Sequence, residues 1–400
     1  MGEPKLRFKA DDGSDFPDWE EMTLGDVGSV AMCKRVFKEQ TCEVGDVPFF
    51  KIGTFGGAPD AYISQSLFDE LKSKYAYPKV GTILLSASGT IGRQVEYKGE
   101  DAYYQDSNIV WLEHDDTVLD SYLKQFYSVV KWQGLEGSTI KRLYNKTILD
   151  TPFYRPSLPE QRKIGDFLSA VDAVIAAQQA EVDAWEQRKK GVMQKLFSQE
   201  VRFKADDGSD FPAWEEKVTE QLCLRMIGGG TPSTDDPSNY DGETSWISSS
   251  DLDENDIYTI RRTRFITDEA ISNSATKRVK ANSIVVVLRV GVGKVAISRC
   301  ETCTSQDFIS LEDVQGDICF IAYMLSEAMR REALQTQGTS IKGVTSKRFR
   351  SLVHMMPASI DEQRKIADCL SSMDEVIQKS KDELAKWQEL KKGLLQQMFV

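Results

Sequence analysis

"LPEQRKIGDFLSAVDAVIAAQQAEVDAWEQRKKGVMQKLF" runs from Leu158 to Phe197, and "IDEQRKIADCLSSMDEVIQKSKDELAKWQELKKGLLQQMF" runs from Ile360 to Phe399. The two align without a gap at an offset of 202. In each, apolar residues return at alternating steps of four and three. The first copy gives Ile164, Leu168, Val171, Ile175, Gln178, Val182, Trp185, Lys189, Val192 and Leu196. The second gives Ile366, Leu370, Met373, Ile377, Ser380, Leu384, Trp387, Lys391, Leu394 and Met398. This is a heptad seam, and it predicts two helices of about 60 Å each at 1.5 Å per residue. The polar exceptions fall at matched places, Gln178 with Ser380 and Lys189 with Lys391, where a polar residue can fix register. A lone helix cannot bury such a stripe. The simplest partner is the other copy, in an intramolecular antiparallel coiled coil. Pairing then runs through Ile164, Leu168, Val171, Ile175, Val182 and Trp185 on one helix. Ile366, Leu370, Met373, Ile377, Leu384 and Trp387 face them from the other. The alternative is two helices that each pair with another chain. Ser157 precedes Glu160 by three residues, and Ser359 precedes Glu362 by three, so each helix is expected to open with a capping box.

A second repeat lies outside the helices. "RFKADDGSDFPDWEE" (7–21) returns as "RFKADDGSDFPAWEE" (202–216), with Asp18 against Ala213 the one difference. The chain is therefore a tandem repeat with a pseudo-twofold, to be read before its parts. The glycines Gly13 and Gly208, flanked by Asp and Pro, predict a turn, and Trp19 and Trp214 are expected to anchor the entry to each globular domain. The first helix runs straight into its copy of this stretch. The second copy of that junction is expected to form without a covalent link, the N-terminal segment packing beside the end of the second helix. The organisation expected is an N-terminal repeat segment at 1–18, a globular domain at 19–156, a spacer helix at 157–199, the repeated junction at 200–213, a second globular domain at 214–358 and a second spacer helix at 359–400.

The composition is that of a globular protein, 40% hydrophobic and 28% charged. No apolar run approaches the roughly 18 residues that cross a bilayer, and the opening "MGEPKLRFKADDG" lacks the apolar segment of a signal peptide, so a cytoplasmic, membrane-free protein is expected. Seven scattered cysteines argue for reduced thiols rather than a disulfide framework. Cys300 and Cys303 make one C-x-x-C, but the two histidines, His114 and His354, leave a zinc site short of ligands; no metal is expected. Net charge is −12, which on its face disfavours a polyanion. The distribution is uneven, however. Residues 235–256 hold eight acids and no base, while 261–299 hold nine bases and two acids. That polarity permits a basic face.

The globular stretches are only weakly alike. Both carry a buried strand and a glycine turn, "GTILLSASGTIGRQV" from Gly81 and "NSIVVVLRVGVGKVAI" from Asn282. Both carry a Gln-Asp pair before a strand, at Gln105 and Asp106 and at Gln306 and Asp307. Both approach their spacer helix through "GSTIKRL" (137–143) or "GTSIKGV" (338–344). Strand and turn signals dominate, with one helix expected around "FIAYMLSEAMRREALQ". The fold class expected is α/β (α+β), two mixed domains with two long antiparallel helices. The glycine turns match neither a dinucleotide fingerprint nor a P-loop, and no catalytic histidine constellation is evident. They read either as plain hairpins or as tight turns presenting cations to a polyanion. An enzyme using Asp251, Asp253 and Glu254 is the weakest alternative.

Two unlike domains, each closed by a matched helix opening "EQRKI", together with "GGGTPS" at Gly228 and "WISSSDL" at Trp246, resemble the specificity subunit of a type I restriction–modification system. The first domain departs from the pattern, having "GSVAMCKRVFK" where a "GGTPS" segment is expected. The resemblance implies that each domain is a target recognition domain reading one half of a bipartite, asymmetric site in double-stranded DNA. It implies that the helices hold two methyltransferase subunits, which bind S-adenosylmethionine, and that restriction motor-nuclease subunits using ATP and Mg join them. This chain would be non-catalytic and would itself hold no cofactor. The DNA contacts expected are Arg93, Ser138, Thr139, Lys141 and Arg142 in the first domain. In the second they are Thr231, Ser233, Arg289, Lys294, Ser340, Lys342, Lys347 and Arg348. The rival reading is a coiled-coil scaffold that binds proteins and no DNA.

Overall fold

The computed structural model describes residues 4–132, 142–336 and 343–399. The chain forms two compact units, one of residues 1–179 with 382–400 and one of 180–381. Both long helices form, Leu158–Phe197 and Ile360–Phe399, and each contributes to both units.

In the first unit a four-stranded antiparallel sheet takes the order Gly28–Ala31, Ile109–His114, Ile83–Ser86, Gln94–Glu96. A three-stranded sheet, Tyr62–Ile63, Val47–Phe50, Tyr103–Tyr104, includes one parallel pair. The run Thr82–Ala87 is buried at every position, because both faces are covered. Ile83, Leu85 and Ala87 enter the core shared with the helix Asp120–Val129 and the long helices. Leu84 enters the core of the three-stranded sheet. This explains a continuous apolar run where a half-exposed strand would alternate. An antiparallel ribbon, Glu20–Thr23 with Pro152–Arg155, brings the two ends of the domain together.

The second unit repeats this scheme with different residues. Its main sheet runs Cys223–Gly228, Phe308–Val314, Ser283–Val287, Val295–Ser298, and its ribbon pairs Trp214–Val218 with Val353–Pro357. A second sheet runs Phe265–Ile266, Thr244–Ile247, Thr302–Thr304, Arg278–Val279. Ile284 and Val286 face the core built on the helix Ile318–Thr336, the helix expected from the sequence, while Val285 and Val287 face the opposite cluster.

The seam pairs antiparallel in each unit. In the first, Ile164 and Leu168 share a core with Leu395, Met398 and Phe399. In the second, Ile366 and Leu370 share a core with Leu196. Val171, Val182, Met373, Ile377 and Leu384 are buried, and Ile175, Trp185 and Trp387 are half-buried. The seam lysines find acids on the facing helix. Lys391 pairs with Asp172 at 2.5 Å in the first unit, and Lys189 pairs with Asp374 at 2.5 Å in the second. The two pairs are equivalent under the 202-residue repeat, so each lysine accepts only the antiparallel register.

The repeated stretch is a clamp. In the first unit the Arg7 guanidinium donates from Nε and Nη2 to the fully buried Glu160 carboxylate, at 3.0 and 2.8 Å, and Trp19 Nε1 donates to the same group at 3.0 Å. In the second, Arg202 does the same to Glu362 at 3.0 and 2.8 Å, and Trp214 at 3.1 Å. These bonds raise both arginine pKa values above the ordinary guanidinium range, the carboxylate hydrogen bond being the main cause. The turns form as expected, Gly13 and Gly208 taking φ of 84° and 85°. Lys163 and Lys365 each donate to a turn carbonyl, Lys9 O at 2.7 Å and Lys204 O at 2.8 Å. The capping boxes do not form as expected. Glu160 and Glu362 face the arginine and tryptophan; among the described residues the Ser157 hydroxyl is buried without a partner, and Ser359 accepts from Asp361 N at 3.3 Å. A buried carboxylate is stabilised more by a charged fork than by a backbone N–H, so the distant cation wins.

Candidate nucleic-acid interface

The glycine turns join neighbouring antiparallel strands in both domains, so they are hairpins. In the first, Arg93 Nη1 donates to Phe55 O at 2.8 Å and its backbone N–H to Ser86 Oγ at 2.8 Å. Arg142, half-buried, lies beside Ser88 in an antiparallel bridge and donates to Ser107 O at 2.7 Å. In the second, Lys294 Nζ donates to Ser249 O at 3.0 Å and Leu252 O at 2.8 Å. That ammonium fastens the hairpin to the turn after strand Thr244–Ile247 and is not displayed. Arg348 forks onto Glu332 at 2.7 and 3.0 Å. Arg289 and Lys347 are exposed and have no partner among the described residues. Thr231 donates to Gln306, and Ser233 Oγ accepts from Asp235 N at 3.3 Å. Ser138, Thr139, Lys141, Ser340 and Lys342 lie outside the described residues.

The expected charge polarity resolves differently in space. The acidic and basic stretches of the second domain fold onto each other. Arg264 pairs with Asp251 at 2.5 Å, Arg261 with Asp253 at 2.7 Å, Lys280 with Asp313 at 3.0 Å, and Arg278 with Asp268 and Glu301. Arg225 pairs with Glu312 and Arg350 with Glu220. Four of the nine bases of the run, Arg261, Arg264, Arg278 and Lys280, are thereby paired with acids. The same pairs engage Asp251 and Asp253. Arg261 holds the Asp253 carboxyl below its ordinary range, chiefly through their hydrogen bonds. Two carboxylates engaged by arginines are poorly placed for acid–base work.

The "GGGTPS" segment packs at close range. A Cβ at Gly229 would lie 2.0 Å from Ser305 O, and one at Gly230 would lie 2.2 Å from Thr276 N. Trp246 Nε1 donates to Gly230 O at 2.9 Å, and Arg264 stacks 4.7 Å from the Trp246 ring centroid. These glycines let the segment lie against the Gln-Asp turn.

The family profile described as "Type I restriction modification DNA specificity domain" matches residues 17–184 and again 213–386. The chain belongs to this family. A Haemophilus influenzae protein described as a type I restriction enzyme specificity subunit is 55% identical over 152 residues, 38% of this chain and 40% of its own length. A Methanocaldococcus jannaschii protein of the same description is 23% identical over 416 residues, covering 97% of this chain and 94% of its own. The solved S subunit from M. genitalium superposes with a TM-score of 0.59 at 14% identity, covering 100% of this chain and 99% of that one. That likeness shows the shared fold. Among the described residues, no helix of this specificity-family chain is long and apolar enough to cross a membrane.

The Glu160 and Glu362 clamps were not singled out by sequence reasoning. Their signal was present, since the stretch that carries Arg and Trp and the helix start that carries Glu recur in both copies while the domains between them differ.

Proposed function

We propose that this chain is the DNA-reading subunit of a type I restriction–modification enzyme, non-catalytic in itself, cytoplasmic, and without a cofactor of its own. Each domain reads one half of a bipartite, asymmetric target. The long helices hold two methyltransferase subunits, which bring S-adenosylmethionine, and restriction subunits bring ATP and Mg. One observation carries this reading: two domains whose main sheets share one strand order, with near-identical clamps, differ at the turns they display. Matched scaffolds with unmatched surfaces suit the recognition of two different half-sites. With a net charge of −12 and Arg261, Arg264, Arg278 and Lys280 already paired with acids, the isolated chain binds DNA weakly. A partner that closes around the duplex supplies the missing positive charge.

The test is to co-express the chain with its methyltransferase and map adenine methylation across a genome. One interrupted motif with unlike halves supports the proposal. An assembled complex that binds its methyl donor and marks no motif favours the alternative, a coiled-coil scaffold that does not bind DNA.

A further inference from the structure

The two hairpins are tied to the rest of their domains by the same bonds. In the first domain Ala87 N donates to Asn108 O at 2.7 Å, and Leu143 N donates to Ala87 O at 2.8 Å. In the second Leu288 N donates to Asp307 O, and Val344 N donates to Leu288 O, both at 2.7 Å. Ala87 therefore corresponds to Leu288 and Leu143 to Val344. It follows that Ser88 corresponds to Arg289 and Arg142 to Gly343. The cation has changed sides between two equivalent crossings. In the first domain it stands on the crossing segment, opposite a serine. In the second it stands on the hairpin, opposite a glycine.

Gly343 makes the exchange possible. A Cβ there would lie 3.1 Å from Leu288 O and 3.4 Å from Arg289 Cα, and its φ of +154° lies where side chains are strained. The two arginines are not equally available. Arg142 is half-buried and bonded to Ser107 O. Arg289 is exposed and has no partner among the described residues. Next to it stands Val290, 70% exposed, where the first domain has Gly89. The tip is rigid. Gly291 and Gly293 take φ of 82° and 108°, and Lys294 is fastened to two carbonyls.

We propose that Arg289 and Val290 are specificity-determining residues of the second domain. This rests on the DNA-reading function above. A free guanidinium fork matches the N7 and O6 acceptors of guanine in the major groove, and an exposed isopropyl group beside it matches the methyl of a neighbouring thymine. A phosphate contact needs the cation but not the apolar neighbour. The first domain has glycine at the valine position and a tied arginine, so it reads its half-site by other groups.

The experiment maps methylated motifs for complexes carrying Arg289→Ala, Arg289→Lys and Val290→Gly beside the unaltered complex. Both side chains are exposed, so the variants should assemble, and Arg289→Lys retains the charge without the planar fork. Arg289→Ala and Arg289→Lys should both lose discrimination at one base pair of one half-site, by on the order of tenfold or more. Val290→Gly should relax an adjacent pair, and the other half-site should stay unchanged. An unaltered motif in the Arg289 variants overturns the proposal. So does a uniform loss at all sites with a salt slope reduced by about one, the mark of a phosphate contact. An unaltered complex that marks no motif at all overturns the DNA-reading function, and with it this proposal.

Discussion

The two clamps are the same object made in two ways. At the second, the chain passes covalently from the first long helix into its clamp, and Val201 N donates to Lys195 O at 3.3 Å. At the first there is no covalent passage, yet Leu6 N donates to Gln397 O at 3.0 Å, the equivalent bond under the repeat. The arginine and tryptophan contacts agree within about 0.1 Å. Side-chain contacts alone therefore reproduce a geometry that the backbone enforces elsewhere. They must also hold the N-terminal segment against the entropy of release.

The sharpest way to break the comparison is to remove the arginines. Arg7→Ala and Arg202→Ala each leave a fully buried carboxylate without its cation, and each should cost about 3–5 kcal/mol in denaturant unfolding. Only Arg7→Ala should also free the N-terminal segment, read as rapid cleavage near residues 9–17 in limited proteolysis. Equal protease resistance in the two variants would mean that the first clamp does not depend on its arginine.

The seam pairs come next. Lys189 is more buried than Lys391, with side-chain exposures of 6% and 18%, and it also donates to Asn255 O and lies 5.0 Å from the Tyr323 ring centroid. Lys189→Ala should cost about 3 kcal/mol and Lys391→Ala about half that, by the scale for broken buried pairs. Similar costs at both sites would show that the extra contacts of Lys189 contribute nothing.

The histidines separate the domains by pH. Burial pushes His354 down to about 4, and its Nε2 shares a hydrogen bond with Thr219 Oγ1 at 2.7 Å. The unfolded state then binds the extra proton first as pH falls, so stability is lost below about pH 6.5, by about 2 kcal/mol at pH 5. For His114, burial alone would lower the pKa, but the hydrogen bonds to Asp120 and Asp115 O outweigh it and the net shift is upward. That contribution is present in acid and is lost as pH rises through the raised value. Denaturation midpoints from pH 5 to 8 should show the acid loss vanish in His354→Gln and persist in His114→Gln. The smallest effect concerns the helix starts. Ser157→Ala removes an unpartnered hydroxyl and should change stability by less than about 0.5 kcal/mol, whereas Ser359→Ala should cost about 0.5–1 kcal/mol by loss of a cap. A larger loss at Ser157 would indicate a bond that this geometry lacks.

What could be read from sequence was whatever repeats or recurs locally. The seam from Ile164 to Leu196, its copy, the turns at Gly13 and Gly208 and the buried strand at Ser283–Val287 all follow from spacing and composition. What could not be read depended on which distant group reaches a side chain first. Ser157 and Glu160 have the spacing of a capping box, but Arg7, 153 residues away, takes the glutamate. Lys294 looked like a displayed cation until the carbonyls of Ser249 and Leu252 came within reach. The exchange of Arg142 for Arg289 between the two sides of equivalent crossings is invisible without the hydrogen bonds that align Ala87 with Leu288.

The pairing of Arg261, Arg264, Arg278 and Lys280 with acids, beside a net charge of −12, has a kinetic side. Paired charges cancel beyond a few ångströms, so at a distance the chain presents the field of its excess acids. A polyanion approaching through dilute salt, where screening reaches about 10 Å at 0.1 M, is repelled before it can meet an unpaired arginine. The encounter rate of the free chain with such a partner should therefore rise as salt is first added, the reverse of ordinary electrostatic steering. It should return to the usual fall once a basic companion is bound.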